Sequence, residues 1–140
     1  VGLGKAIELI YNDFENYNSK LISLRDYYIK QIENNIEDVH LNGDRIDRLP
    51  GNANISFRGI DAGELLLNLD ANGICASAGS ACTSGSLEPS HVLLAIGLKE
   101  EYAQGSLRVT FGKDNTKEDV DYLIECLKHN LGTGQKIMFP

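Results

Sequence analysis

Residues 76 to 86 read Ala-Ser-Ala-Gly-Ser-Ala-Cys-Thr-Ser-Gly-Ser, a run of small side chains around one thiol, Cys82. Such a run buries little apolar area and constrains its backbone weakly, so the sequence predicts a loop that leaves the thiol reachable. The thiolate of cysteine is the strong nucleophile, yet with a pKa of about 8.5 only a few per cent is ionised at neutral pH unless a cation, a base or a helix end assists. No Lys or Arg lies within the run, so whatever activates Cys82 comes from elsewhere in the fold. A cysteine-phosphatase arrangement needs an arginine a few residues later. The first one is Arg108, which excludes it. Gly79, Ser80, Thr83 and Ser84 have the composition of an anion cradle, a pattern common to many small-residue loops.

Arg108 is the second residue with chemical reach. It alternates with Leu107, Val109 and Phe111, so it occupies the polar side of a strand. A guanidinium held rigidly on a sheet suits bidentate recognition of a carboxylate, although a solvated charge on an open sheet face is the commoner reason for that pattern. His91 falls in the first turn of a helix and is expected in solvent, while His40 and His129 have no partner evident in sequence. Cys75 and Cys126 are expected as half-buried packing residues of a strand and a helix.

The elements that must position these groups follow from periodicity. Leu3, Ile7, Ile10, Phe14, Tyr17, Leu21, Leu24 and Tyr28 recur at alternating steps of four and three, one face of a long helix. Packing against its own or a neighbouring domain is favoured over a coiled-coil seam. Val39 to Leu41 suggests a short strand, and Ala53 to Phe57 a one-sided one. Asp61 with Glu64 opens a helix that Gly73 ends, Ile74 and Cys75 suggest a further short strand, and Pro89 to Ile96 a helix stopped by Gly97. Leu107 to Phe111 is the clearest strand, and Thr116 caps a last helix with Val120, Leu123, Ile124, Leu127 and Leu131 inside. The order predicts an α/β (α+β) unit with helices against a small, mostly antiparallel sheet.

The chain has 140 residues, enough for one core, with 42% hydrophobic and 24% charged residues. Its formal charge of -7, with basic residues scattered, argues against a nucleic-acid surface. No run approaches the roughly 18 apolar residues of a membrane helix, and the N-terminus lacks signal-peptide order, so a cytoplasmic location is expected. Three cysteines without CxxC spacing indicate neither a disulfide framework nor a metal site. The only methionine is Met138 and the chain opens inside a helical pattern, which favours a fragment of a longer protein.

Taken together, Gly79-Ser80-Ala81-Cys82-Thr83-Ser84-Gly85, Ser86 to Leu93, and Ser106-Leu107-Arg108-Val109-Thr110-Phe111-Gly112 resemble the cysteine desulfurases of the bacterial nitrogen-fixation and housekeeping type, class V aminotransferase-like enzymes. Leu49 to Phe57 and Val1 to Ala6 continue the match. The resemblance implies an enzyme that takes sulfur from L-cysteine, leaving L-alanine, with pyridoxal 5'-phosphate as electron sink. It places the family's persulfide-forming nucleophile on Cys82 and its substrate-carboxylate arginine on Arg108. It also implies a homodimer and a sulfur acceptor such as an iron–sulfur scaffold or a tRNA-thiolating enzyme. The family's Schiff-base lysine follows Ser-His, a context that none of the chain's lysines has. The chain therefore resembles the C-terminal small domain of a fold-type I enzyme. Residues 1–37 form a leading helix toward the absent large domain and 38–140 the small domain, and the fragment alone is expected to be inactive. A selenocysteine lyase-like relative and a non-enzymatic sulfur-carrier or interaction domain are the alternatives.

Overall fold

The computed structural model describes residues 1–79 and 89–134. In chain order these form α1 (Gly2–Tyr11), α2 (Phe14–Asn35), β1 (Val39–Leu41), β2 (Asn52–Phe57), α3 (Ala62–Ala71), α4 (His91–Ala95), α5 (Glu100–Ala103), β3 (Ser106–Thr110) and α6 (Lys117–Gly134). The strands make one antiparallel sheet in the order β1-β2-β3. This is the expected α/β (α+β) architecture.

The core lies on one face of that sheet. Ala53, Ile55, Phe57, Leu107 and Val109 point into it and meet Leu21, Leu24, Tyr28, Ile29 and Ile32 of α2, Leu65 and Leu69 of α3, and Val120, Leu123, Ile124 and Leu127 of α6. Each fully buried aliphatic side chain contributes roughly 1.5–3 kcal/mol. Tyr28 meets Phe111 edge-on at 5.7 Å between ring centroids. Its hydroxyl is buried without a hydrogen-bond partner, and burial pushes its pKa well above the ordinary tyrosine value.

The single long helix expected from Leu3 to Tyr28 is divided. Asp13 adopts φ -132°, ψ 23°, between α1 and α2. Asn12 and Asp13 are poor helix-interior residues because their side chains compete for backbone groups, and here the Asp13 carboxylate accepts from Asn16 Nδ2. The apolar stripe divides with the helix: Leu21, Leu24 and Tyr28 enter the core, whereas Leu3, Ile7, Ile10 and Phe14 are exposed. The α2 helix is thus part of the core that supports the sheet.

Between β1 and β2, residues 42–51 connect the strands. The buried Arg25 guanidinium braces this connection, donating to the Leu49 carbonyl at 3.2 Å while pairing with Asp26 at 2.8 Å. The α3 helix starts as its sequence predicts, with Asp61 Oδ1 accepting from the Glu64 amide at 2.9 Å. It ends at Gly73 with φ +74°, where Gly73 and Ile74 donate to the Asp70 and Leu69 carbonyls. That closure uses the Ile74 amide, and no strand forms at Ile74 and Cys75. Cys75 is exposed, not half-buried, whereas Cys126 does pack at the edge of the core. Pro89 falls before the Ser90 cap of α4 and not within its first turn.

Candidate functional site

The second face of the sheet carries the polar alternates. Register pairs Asn52 with Thr110, Asn54 with Arg108, and Ser56 with Ser106, while His40 lies opposite Ser56. These side chains must project away from the core because neighbours in a strand alternate faces. Ser56, Ser106 and Asn42 are nonetheless buried. Asn42 Nδ2 donates to Asn54 Oδ1 and, at 2.8 Å, to Ser56 Oγ, and Ser106 Oγ donates to Asn54 Oδ1 at 3.1 Å. This network ties β2 and β3 to the residue that follows β1, next to the position that presents Arg108.

Arg108 stands exposed at the end of that network. Beyond β3, its backbone forms an isolated antiparallel bridge with Ser77: the Arg108 amide donates to the Ser77 carbonyl at 2.6 Å, and the Ser77 amide to the Arg108 carbonyl at 3.1 Å. Its guanidinium Nη2 also donates to Ser77 Oγ at 3.0 Å. The strand expected at residues 74 and 75 is thus replaced by one bridging residue further along. Cys82, the expected nucleophile, lies outside the described residues, as do Ser80, Thr83 and Ser84. Ser77, which is fixed to Arg108, lies five residues before Cys82 in the sequence.

Sequence reasoning singled out Arg108 and missed Ser77 and Asn42. Ser77 is hidden in the small-residue run, where one serine looks like any other. Asn42 lies two residues beyond His40, where it continues the polar alternation. The histidines gain little: His91 is exposed at the start of α4, and His40 packs against Tyr102 with centroids 6.2 Å apart. The described surface includes concavities away from the bridge between Ser77 and Arg108. One of about 370 Å³ is lined by residues including His40, Lys99 and Tyr102, and another of about 460 Å³ includes Arg25 and Arg45. Neither is lined by Arg108.

Pyridoxal phosphate would need a lysine among these residues to hold it. A Schiff-base lysine needs an enclosed site that depresses its pKa. Lys5, Lys20, Lys30, Lys99, Lys113, Lys117 and Lys128 are all exposed, and those with side-chain contacts reach Glu8, the Lys113 carbonyl, the Tyr27 ring or Asn35. Among the described residues no lysine fits that role. Among the same residues no helix is long and apolar enough to cross a membrane, and no group of three or more His, Cys, Asp or Glu side chains is placed to hold a metal ion.

An antiparallel sheet backed by helices on one face, with an arginine bridged to Ser77 on the other, defines a small α+β unit. The chain belongs to the aminotransferase class-V family, whose model matches residues 1–123. It is 56% identical over 129 residues to the cysteine desulfurase IscS of Clostridium botulinum strain Hall, covering 91% of this chain and 32% of that protein. The protein of the same name from Dictyoglomus turgidum is 48% identical over 128 residues, with the same coverage of both chains. Among solved structures, a NifS-like protein from Rickettsia africae superimposes with a TM-score of 0.81 at 27% identity, covering 94% of this chain and 33% of the other. The chain therefore spans about a third of the length of the relatives it matches.

Proposed function

We propose that this chain is the small domain of a cysteine desulfurase, in which Arg108 receives the carboxylate of L-cysteine and Cys82 takes its sulfur. The observation that carries this is the bridge between Ser77 and Arg108, which fixes the root of the cysteine-bearing segment beside an exposed guanidinium on a rigid sheet. An arginine so held can offer two parallel N–H donors to a carboxylate. The Cys82 thiolate attacks the substrate sulfur, a sulfur–sulfur bond forms as the carbon–sulfur bond breaks, and the carbon keeps the electron pair and takes a proton to give L-alanine. Stabilising that pair is the task of pyridoxal 5'-phosphate, which on this reading is held by the remainder of the longer protein. Residues 1–37 then lead toward that remainder, with α2 also packed into the core of the small domain that 38–140 form. The persulfide on Cys82 goes to a protein acceptor of the iron–sulfur scaffold or tRNA-thiolating kind, from a cytoplasmic homodimer. The similarity to proteins named cysteine desulfurase supports this assignment over a bare sulfur carrier.

The test is made in the full-length protein with Cys82→Ala. Alanine production from L-cysteine is expected to fall to background while L-cysteine still binds with its wild-type dissociation constant. Retained alanine production would remove Cys82 from the role of nucleophile. Running wild type on L-selenocysteine beside L-cysteine decides between a desulfurase and a selenocysteine lyase.

A further inference from the structure

Ser77 forms more contacts than a loop serine needs. Its Oγ accepts from Arg108 Nη2 at 3.0 Å and from the Gly79 amide at 3.4 Å, and it donates to the Gly79 carbonyl at 3.2 Å. A hydroxyl has one proton and two lone pairs, so all three capacities are used. Because the proton is committed to the Gly79 carbonyl, the face turned to Arg108 is an acceptor face. A guanidinium has only donors, so the two are matched in sense. The same residue is pinned by two backbone hydrogen bonds to Arg108, and that ladder continues into the pairing of Arg108 with Asn54. The hydroxyl is therefore fixed relative to the arginine backbone, and the side chain of Arg108 is held from its own strand partner.

We propose that Ser77 is a positioning residue for Arg108, setting the direction in which its guanidinium meets the substrate carboxylate. Arg108 is exposed, and a free arginine side chain carries large rotamer entropy that must be lost when it grips a ligand. The Ser77 contact takes one of the five N–H donors and removes part of that freedom beforehand, which leaves the rest of the fork for a carboxylate. Because both groups lie where the cysteine-bearing segment leaves the sheet, the direction of Arg108 and the root of that segment are set by one residue. The inference rests on the assignment of Arg108 as the carboxylate-binding residue.

The experiment uses the full-length enzyme and measures KM and kcat for L-cysteine in Ser77→Ala, Ser77→Thr, Ser77→Val, Arg108→Ala and the double variant Ser77→Ala/Arg108→Ala. Loss of one such hydrogen bond is expected to raise KM about fivefold in Ser77→Ala and Ser77→Val, with kcat within about twofold of wild type. Threonine restores the hydroxyl in the same shape as valine, so Ser77→Thr is expected to keep the wild-type KM. In the Arg108→Ala background, Ser77→Ala is expected to add nothing, because its route of action is gone. An unchanged KM in Ser77→Ala and Ser77→Val, alongside a raised KM in Arg108→Ala, overturns the role of Ser77 and leaves the carboxylate assignment standing. A Ser77→Ala effect that persists in full without Arg108 also overturns it. An unchanged KM in Arg108→Ala overturns both. Should Ser77→Ala fail to fold, the isosteric Thr and Val pair still isolates the hydroxyl, and equal KM values in that pair overturn the proposal.

Discussion

The two faces of the sheet are made from alternate residues of the same strands, yet they hold together by different physics. On the inner face, Ile55, Phe57, Leu107 and Val109 are packed against three helices, and the stabilisation is apolar area removed from water. On the outer face, Asn42, Asn54, Ser56 and Ser106 recover much of the desolvation cost of their polar groups through mutual hydrogen bonds, with Asn42 Oδ1 left buried without a partner. One face makes the domain stable. The other, being directional, fixes where Arg108 and the Ser77 bridge lie. Neighbouring residues Leu107 and Arg108, adjacent on one strand, therefore belong to different tasks.

The strongest way to break that division is to truncate each neighbour in turn. Leu107→Ala empties a fully buried site and is expected to cost about 2–5 kcal/mol of unfolding free energy, measured by denaturant titration. In the full-length protein its KM for L-cysteine should remain near wild type wherever the fold is intact. Arg108→Ala is expected to do the reverse. Unfolding free energy should change by less than about 0.5 kcal/mol, since the side chain is exposed, while transition-state binding falls by about 1.5–3 kcal/mol through lost contact with a charged carboxylate. If both variants lowered stability and activity together, the two faces would not be separable.

A smaller effect sharpens the comparison from inside the apolar face. Tyr28 places its hydroxyl where no partner reaches it, the one side chain of that core whose polar atom is buried without a hydrogen bond among the described residues. Tyr28→Phe keeps the ring that meets Phe111 and removes the desolvated oxygen. The expected outcome is a gain of about 1 kcal/mol in unfolding free energy, visible as a higher denaturation midpoint at unchanged slope. A loss of stability would mean that the hydroxyl is satisfied in solution and that the inner face is less purely apolar than its packing shows.

The inner face was the legible one. Burial forces a period of two in β2 and β3 and of 3.6 in α2 and α6, and Val39 to Leu41, Ala53 to Phe57 and Leu107 to Val109 follow those periods closely enough to place the sheet. The stripe through α1 was legible as amphipathic but not as divided, because a break needs only two residues that tolerate non-helical angles, and Asn12 and Asp13 leave the spacing intact. The outer face was half legible. Arg108 shows itself through alternation, whereas its partner Ser77 is selected by a bridge 31 residues away in sequence, a non-local pairing that composition does not encode. Likewise Cys75 looks like a strand residue by type. Its exposure follows from the turn after α3, which spends the Ile74 amide on the Leu69 carbonyl.

The smallest effect concerns the helix that backs the inner face. At the start of α6 the Thr116 amide donates to Asp119 Oδ2 at 2.9 Å and the Asp119 amide to Thr116 Oγ1 at 3.3 Å, a reciprocal cap. The Thr116 amide above all, then the Asn115 side chain, hold the Asp119 carboxyl below the usual aspartate range. A carboxylate whose folded pKa is depressed contributes stability that is fully present above its unfolded pKa of about 3.9, and that contribution is lost as pH falls through the lower folded value. Asp119→Asn keeps an acceptor but removes the charge near the helix N-terminus. Its denaturation midpoint should therefore lie below wild type at pH 6 to 7, and the gap should close as the buffer is taken from pH 4 downward. A gap that stayed constant across that range would assign the cap to its hydrogen bonds alone. Either way KM for L-cysteine should not move, because α6 packs on the side of the sheet opposite Arg108.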